Sequence, residues 1–403
     1  MTSLPTERSL RRPRRKRPRL DDHELRHGQD PVRVLAFGTY DVTRHPRVGV
    51  LIEGFQAHGV EVSELNKPLG LSTAQRVQML HEPWRLPILA WRLLSCWARL
   101  TIGAVRLRRP RPDAVLVGYL GHFDVLLAGL LFPRTTIVLD HLVFAGDTAA
   151  DRGAASGWRI RLLTGLDRLA IRAADVIVVD TDEHRELVPR HRRRDVVVAR
   201  VGASREWFDV ATPDIESESN GPQVAGEISV VFFGLFTPLQ GAPTIGRSLR
   251  LLHERGVAVR ATFIGSGQEA DAVHQLVDDL PGIHWIEWVE SDGLPAVVAA
   301  HDVCLGIFGT TDKALRVVPN KVYQGAAAGT LVVTSDTAPQ HRTLGEAAVL
   351  VPPGDAEALA KALAGIAGDR ALLVSGRRAA RRLAERSFTA AAVAEPLVEK
   401  LVR

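Results

Sequence analysis

From residue 32 the chain alternates short, continuous apolar runs with stretches whose apolar residues recur at helical spacing. The runs VRVLAF, VEVSEL, AVLVGYL, TIVLD, DVIVVD and, near 196, VVVAR are short and rich in β-branched residues, and read as strands. A polar, turn-rich stretch without apolar periodicity, TPDIESESNGPQVAGE at 212–227, reads as a linker. The runs then resume as ISVVFFG, VRATFIG, IHWIEW, DVCLGIF, TLVVTS and AVLVP. Buried runs in βαβα order predict parallel sheets covered on both faces. The expectation is an α/β chain with two Rossmann-like domains, at 31–211 and 228–387, facing a central cleft, with a final helix at 388–403. No solenoid repeat interrupts this order. Ligands in such sheets bind beyond the carboxyl ends of strands, so the strand-to-helix turns are where chemistry is expected.

One helical stretch differs from the rest. WRLPILAWRLLSCWARLTIGAVRLRRPRP, 84–112, contains no acid, and Arg85, Arg92, Arg99 and Arg106 recur every seven residues. Seven residues are nearly two turns, so the arginines form one slowly drifting stripe on an apolar body. A membrane-spanning helix would carry Arg92 and Arg99 mid-length at large cost. A helix lying in the headgroup region would not, and Trp84, Trp91 and Trp97 suit that boundary. The competing reading is a surface helix with snorkelling arginines.

Charge sharpens this picture. The 403 residues carry a net charge of +5, but residues 1–19 hold eight basic residues against Glu7 alone. The arm is therefore strongly basic and the body slightly acidic, which excludes a nucleic-acid-binding domain with a basic folded face. Residues 1–30 read as a disordered basic arm, able to touch anionic lipid. No apolar segment follows it, so no secretory signal is expected. Cys96 and Cys304 build neither a disulfide framework nor a zinc site, which suits a reducing cytoplasm. Together these features predict a cytoplasmic protein at the inner face of the membrane.

The candidate chemistry begins with RVVPNKVYQGAAAGTLVVTSD, 316–336. A helix opens near Pro319 and ends at Gly329, and its N-terminal side carries Lys313, Arg316 and Lys321. A helix N-terminus is already positive, so cations stacked there need an anion, and a diphosphate suits them. Asn320 opens that helix, and Gln324 shares the face of Lys321, within reach of a ribose hydroxyl. FFGLFTPLQG places Thr237 and Gln240 in a strand-to-helix turn before Gly241, and FIGSGQEA places Gly265 and Gly267 in another. In the first half, Gly38 and Thr39 follow the first strand, with Arg44, His45 and Arg47 nearby. His122 follows the third strand, and Asp140 and His141 follow the fourth, all on the cleft side. Asp180-Thr181-Asp182 spells a metal–diphosphate DxD, but its context makes Asp182 a helix N-cap. His184 and His191 lack metal-ligand spacing.

These motifs resemble glycosyltransferase family 4, of the GT-B fold, from about residue 32 to the C-terminus. PNKVYQGAAAGTLVVTSD is similar to a bacterial subgroup with IPNKVYEALAMGKPVIT-like sequences. FFGLFTPLQG resembles that subgroup's PLQG turn, and GTYDVTRHPRVGVLIEGFQAHGVEV its N-terminal loop and first helix. The resemblance implies a retaining transferase that takes a sugar from a nucleotide-diphosphate donor, with no cofactor and no obligatory metal. It assigns Lys313, Arg316 and Lys321 to the donor diphosphate, Gln324 to ribose, Gly38 to the phosphates and His122 to the transferred sugar. Arg47, Asp140 and His141 fall on the acceptor side, and the acceptor is a hydroxyl, lipid-linked given the basic helix and arm. Leu235 and Gln240 stand where the family has arginine and lysine, and Arg316 where it has the first glutamate of its E-x7-E motif. The diphosphate grip is therefore expected to have moved to the 313–321 loop. A sugar-nucleotide epimerase, a phosphorylase or a non-catalytic nucleotide- or lipid-binding relative of the same fold remains open.

Overall fold

The computed structural model describes residues 31–42, 45–70, 86–107, 111–153, 157–210 and 227–402. The basic arm, Arg44, the start of the 84–112 stretch and nearly all of the linker lie outside the described residues. The first lobe runs β1 (Arg33–Gly38), α1 (Arg47–Ala57), β2 (Glu61–Asn66), α2 (Leu86–Arg106), β3 (Ala114–Val117), α3 (Asp124–Leu131) and β4 (Thr136–Asp140). It continues with α4 (Ala145–Asp151), α5 (Gly157–Ala173), β5 (Val176–Val179), α6 (Asp182–Leu187), β6 (Val196–Val198) and α7 (Glu206–Asp209). Its six strands are parallel, in the order β2-β1-β3-β4-β5-β6.

The second lobe runs β7 (Ile228–Phe233), α8 (Ala242–Glu254), β8 (Val259–Ile264), α9 (Ala270–Val277), β9 (Ile283–Ile286), α10 (Leu294–Ala299), β10 (Val303–Leu305) and α11 (Asn320–Ala327). It ends with β11 (Leu331–Ser335), α12 (Ala338–Leu344), β12 (Ala348–Val351), α13 (Ala356–Gly368), α14 (Arg370–Ser387) and α15 (Ala390–Val402). Its order, β12-β11-β10-β7-β8-β9, is again all parallel. All twelve expected strands are present.

Every residue of AVLV in β3 and VIVV in β5 is buried, as strands covered on both faces require. Over the first sheet, α1 and α15 cover one face through Val48, Leu51, Phe55, Val393 and Leu397. On the other face α2, α3 and α5 pack through Leu100, Val125, Leu127, Ala170 and Ile171. The last helix therefore returns to the first lobe. A Cβ at Gly54 would lie 2.2 Å from the Ala390 carbonyl oxygen, so only glycine admits that approach.

In each sheet the strand order reverses at one point, β1/β3 in the first lobe and β7/β10 in the second. The crevice beyond the carboxyl ends of strands at such a reversal is the general ligand position of open α/β sheets. Gly38, Thr39 and the 118–123 loop stand at the first reversal, and the 234–241 loop stands at the second.

Candidate active site

At the second reversal, β7 delivers Gly234, and α11 delivers Lys321 from its first turn. A Cβ at Gly234 would lie 3.8 Å from Lys321 Nζ, which places the ammonium at the strand end. Lys321 is only 4% exposed. Its Nζ donates to Gln240 Oε1 at 2.6 Å and sits 3.6 Å from the centroid of the Phe232 ring. Among the described residues no carboxylate pairs with it. Burial lowers its pKa to about 7, opposed only by the Cys304 thiol. An ammonium held by an amide oxygen and an aromatic face, beside a helix N-terminus, is prepared for an anion that the described residues do not supply. On the same helix, Asn320 and Gln324 are half-buried, one turn apart. Thr237 is half-buried too, and its carbonyl accepts from the Gln240 N–H.

The glycines of FIGSG serve this turn indirectly. A Cβ at Gly265 would lie 2.2 Å from the Gly234 carbonyl oxygen, and one at Gly267 would lie 2.6 Å from Phe236 backbone atoms. Both glycines let the β8 turn press against the β7 turn.

Lys313 and Arg316 behave differently from Lys321. Lys313 Nζ donates to Thr148 Oγ1 at 2.8 Å, and Arg316 Nη1 pairs with Asp147 Oδ1 at 2.7 Å. The Arg316 carbonyl accepts from Thr181 Oγ1 at 2.8 Å, and Thr311 Oγ1 donates to Asp151 at 2.5 Å. Burial lowers the pKa of Lys313, against Asp151 and Asp147. The expected three-cation grip is thus divided: α4 and the N-cap of α6 in the first lobe hold Lys313 and Arg316, and Lys321 alone stands at the β7 end. The spacing along the chain could not show this, because Thr148 and Asp147, which receive the two cations across the lobes, are 165 and 169 residues away.

At the first reversal, Gly38 has φ +146°, and a Cβ there would lie 3.0 Å from Asp124 Oδ2. That carboxylate accepts from the Thr39 N–H and Thr39 Oγ1, both at 2.8 Å, and its other oxygen accepts from Trp97 Nε1 at 2.9 Å. Asp124 was not among the expected site residues, although an acid in the first turn after His122 is the signal for it. The loop presenting His122 holds Leu120 at φ 59°, a strained left-handed conformation of the kind that gathers at functional turns.

His122 is buried, and its Nε2 meets Asp167 Oδ1 at 2.8 Å. Asp167 also accepts the Ala145 N–H at 2.9 Å and the Gly146 N–H at 3.2 Å. Burial raises the Asp167 pKa, but the hydrogen bonds from His122 and Ala145 outweigh it and hold the carboxyl below its usual value. Nε2 of His122 therefore donates to this carboxylate. The sequence signal for Asp167 is that it is the one acid in α5. His141 packs edge-on between His122 and Phe144, with burial pushing its pKa down to about 3. His122, His141 and Asp167 offer ligand atoms within 4.8 Å of one another. Both Asp167 oxygens already accept hydrogen bonds, whereas His141 Nε2 is buried without a hydrogen-bond partner, 3.7 Å from Asp167 Oδ1.

Arg47 and Asp140 do not face an acceptor. Both are fully buried and pair with each other, Nε to Oδ1, at 3.3 Å. Arg47 also donates to the Ala199 and Arg200 carbonyls. This brace ties α1 to the ends of β4 and β6, which corrects the expectation for those two residues. Nor does Asp182 cap α6. Thr181 does, accepting the His184 N–H, while Asp180 bonds the His184 ring. One acid of the DxD is thus engaged internally, and the other is exposed.

Residues 227–369 match the family described as glycosyl transferases group 1. Comparison with curated proteins gives no match. Among solved structures, a sucrose-phosphate synthase from Thermosynechococcus elongatus is 14% identical at a TM-score of 0.66, covering 92% of this chain and 98% of its own. The chain has the GT-B fold. HepE of Anabaena in complex with UDP-glucose is also 14% identical, at a TM-score of 0.61, with 92% and 99% covered. A glycosyltransferase from Rickettsia africae is 12% identical at 0.58, with 92% and 98% covered. The two lobes touch where the 311–316 loop meets Asp147, Thr148 and Asp151, with Lys321 and Gln240 at the reversal of the second sheet and His122 and Gly38 at that of the first.

Proposed function

We propose that this protein is a retaining glycosyltransferase that moves a sugar from a nucleotide-diphosphate donor to a hydroxyl of a lipid-linked acceptor. The observation that carries the reading is Lys321, a buried ammonium at a helix N-terminus with an amide rather than a carboxylate as its partner. As the bond from the sugar C1 to the diphosphate oxygen breaks, negative charge gathers on the leaving group. A pre-positioned ammonium and the α11 N-terminus stabilise that charge without reorganising. The acceptor oxygen bonds to C1, and its proton passes to the departing phosphate. This cation does the neutralising, so the reading needs no obligatory metal. Gln240 holds the ammonium in place, where the resemblance puts a lysine of its own. Gln324 and Asn320, on the open side of α11, are assigned to ribose. His122, with Nδ1 turned away from Asp167, is assigned to a sugar hydroxyl. The acceptor would be reached from the cytoplasmic face of a membrane.

The HepE complexes contain UDP and UDP-glucose, so uridine is the first base to test. The experiment is a thermal-shift panel of UDP-, GDP-, ADP- and dTDP-sugars, with Lys321→Ala as control. A specific donor at 100 times its Kd should stabilise the protein by about 2.7 kcal/mol. Removing Lys321 should lower turnover by about 10²–10³. Nucleotide binding without turnover on any acceptor would favour a non-catalytic relative, and full activity in Lys321→Ala would remove the site.

A further inference from the structure

We propose that the outer face of α2, α3 and α5 is a docking surface for an anionic lipid bilayer. The sequence pattern marks one helix; the structure adds two more, because α3 packs against both α2 and α5. All three cover the same face of the first sheet, so their other sides look outward together. On α2 the inward side carries Leu100 and Ala104, and the opposite side carries Ile88, Trp91, Ile102 and Val105, all exposed. Arg92, Arg99 and Arg106 line one flank of that exposed stripe. On α5, Trp158, Leu162 and Leu169 are exposed on one face, with Arg161, Arg168 and Arg172 among them. Between the two helices α3 exposes Leu130, at 78%. Two parallel stripes of large apolar side chains edged by arginine are the pattern of helices lying in a headgroup region.

Charge selects the occupant. The three helices carry only two carboxylates, Asp124 and Asp167, and both are buried and turned inward. A second copy docked through this face would set arginine against arginine with no acid to pair, whereas anionic headgroups supply the missing charge. Pro87–Arg106 is long and apolar enough to cross a bilayer. Its inner side is nevertheless packed on the sheet, and Trp97 donates to Asp124, so the helix lies along the domain. The docking helices also hold the site: α2 reaches Thr39 through Trp97 and Asp124, and α5 reaches His122 through Asp167. The surface thereby brings the first-lobe half of the crevice to the membrane.

The test does not depend on glycosyl transfer. Full-length protein is mixed with phosphatidylcholine vesicles, with and without phosphatidylglycerol, whose acyl chains are brominated to quench tryptophan. Binding and quenching are expected only with phosphatidylglycerol. Trp91→Phe and Trp158→Phe should each remove part of the quenched signal, and Leu162→Ser should weaken vesicle binding about tenfold. Vesicle binding without tryptophan quenching would mean that the basic arm binds alone, and quenching unchanged in both tryptophan variants would mean that another surface docks; either would overturn the proposal. So would loss of signal in Trp91→Phe only, which would leave α5 out, or a solution dimer that shields both tryptophans.

Discussion

Lys321 Nζ donates to Gln240 Oε1 at 2.6 Å, bringing together α11 and the turn after β7 across 81 residues of chain. The contact joins a departure from the resembled pattern, Gln240, to a lysine that matches the PNKVY motif, two features that look separate in the sequence. Position 240 lacks the usual lysine, and position 321 carries one at a helix end where cations are disfavoured. Beside Gly234 a cation is thus delivered to the end of β7 from α11, although Gln240 stands where the resemblance puts a lysine.

That cation gives donor binding a definite pH dependence. The free-protein pKa of Lys321 is about 7, and a diphosphate favours the ammonium form. Affinity for a UDP-sugar, whose diphosphate does not titrate near neutrality, is expected to be full below pH 7. It should fall above pH 7, approaching tenfold per unit, until the pKa of the bound state is reached. Calorimetric titration from pH 6 to 9 checks this. A flat profile in the wild type, equal to that of Lys321→Gln, would show that Lys321 does not meet the diphosphate.

The same burial makes Lys321 costly to the fold. Its folded pKa is depressed from 10.5 to about 7, so the unfolded chain binds more protons between those values. The lysine's contribution to stability therefore rises with pH across that window and is least favourable below 7. Lys321→Met should be more stable than wild type by about 1–3 kcal/mol at pH 6, after allowing for the lost Gln240 and Phe232 contacts. The difference should shrink as pH rises and reverse in sign by pH 10. Urea unfolding at both pH values measures it, and a variant less stable than wild type at pH 6 would contradict the account.

The strands were legible because a buried parallel strand writes itself as an unbroken apolar run. The places of the candidate residues were legible only where they depend on neighbours in sequence: Gly38–Thr39 at the end of β1, His122 after β3, Lys321 in the first turn of α11. What the sequence could not show is pairing at long range. Arg47 and Asp140 look like crevice residues in the sequence, yet Arg47 at the start of α1 and Asp140 at the end of β4 pair with each other and both are buried. Lys313 and Arg316 look like partners of Lys321, but α4 claims them. Asp124 and Asp167 went unselected because an isolated acid in an apolar helix carries no motif, although each holds a site residue in place.

Asp167 is expected to act through His122. In Asp167→Asn an amide N–H₂ faces either the Gly146 N–H or the Ala145 N–H, which costs about 1–3 kcal/mol of stability. The amide also removes the preference for a proton on His122 Nε2. Turnover should fall by about tenfold or more, with nitrogen NMR reporting a shift towards the other His122 tautomer. Asp167→Glu should restore part of the tautomer signature. Chelation of the wild type with EDTA should change neither turnover nor the NMR signature. Loss of both on chelation would mean that His122, His141 and Asp167 hold a metal.

The last prediction separates a latch from a phosphate grip. Arg316 pairs with Asp147 at 2.7 Å, with a quarter of the arginine side chain exposed, so the pair itself is worth at most about 1 kcal/mol. Its importance lies in where it sits: Arg316–Asp147, Lys313–Thr148 and Thr311–Asp151 fasten the 311–316 loop of the second lobe to α4 of the first. If these contacts are a latch, Arg316→Gln should loosen the lobes, raising the radius of gyration in X-ray scattering and speeding amide exchange in 145–151. Donor affinity should change by less than about threefold, since Lys321 is untouched. If Arg316 instead grips the diphosphate, the same variant should lose tenfold or more in donor affinity while the free protein keeps its shape. Asp147→Asn resolves the two independently. It breaks the Arg316–Asp147 pair and leaves the guanidinium paired only with the exposed Asp312, so it should reproduce the loosening under the first reading and raise donor affinity under the second.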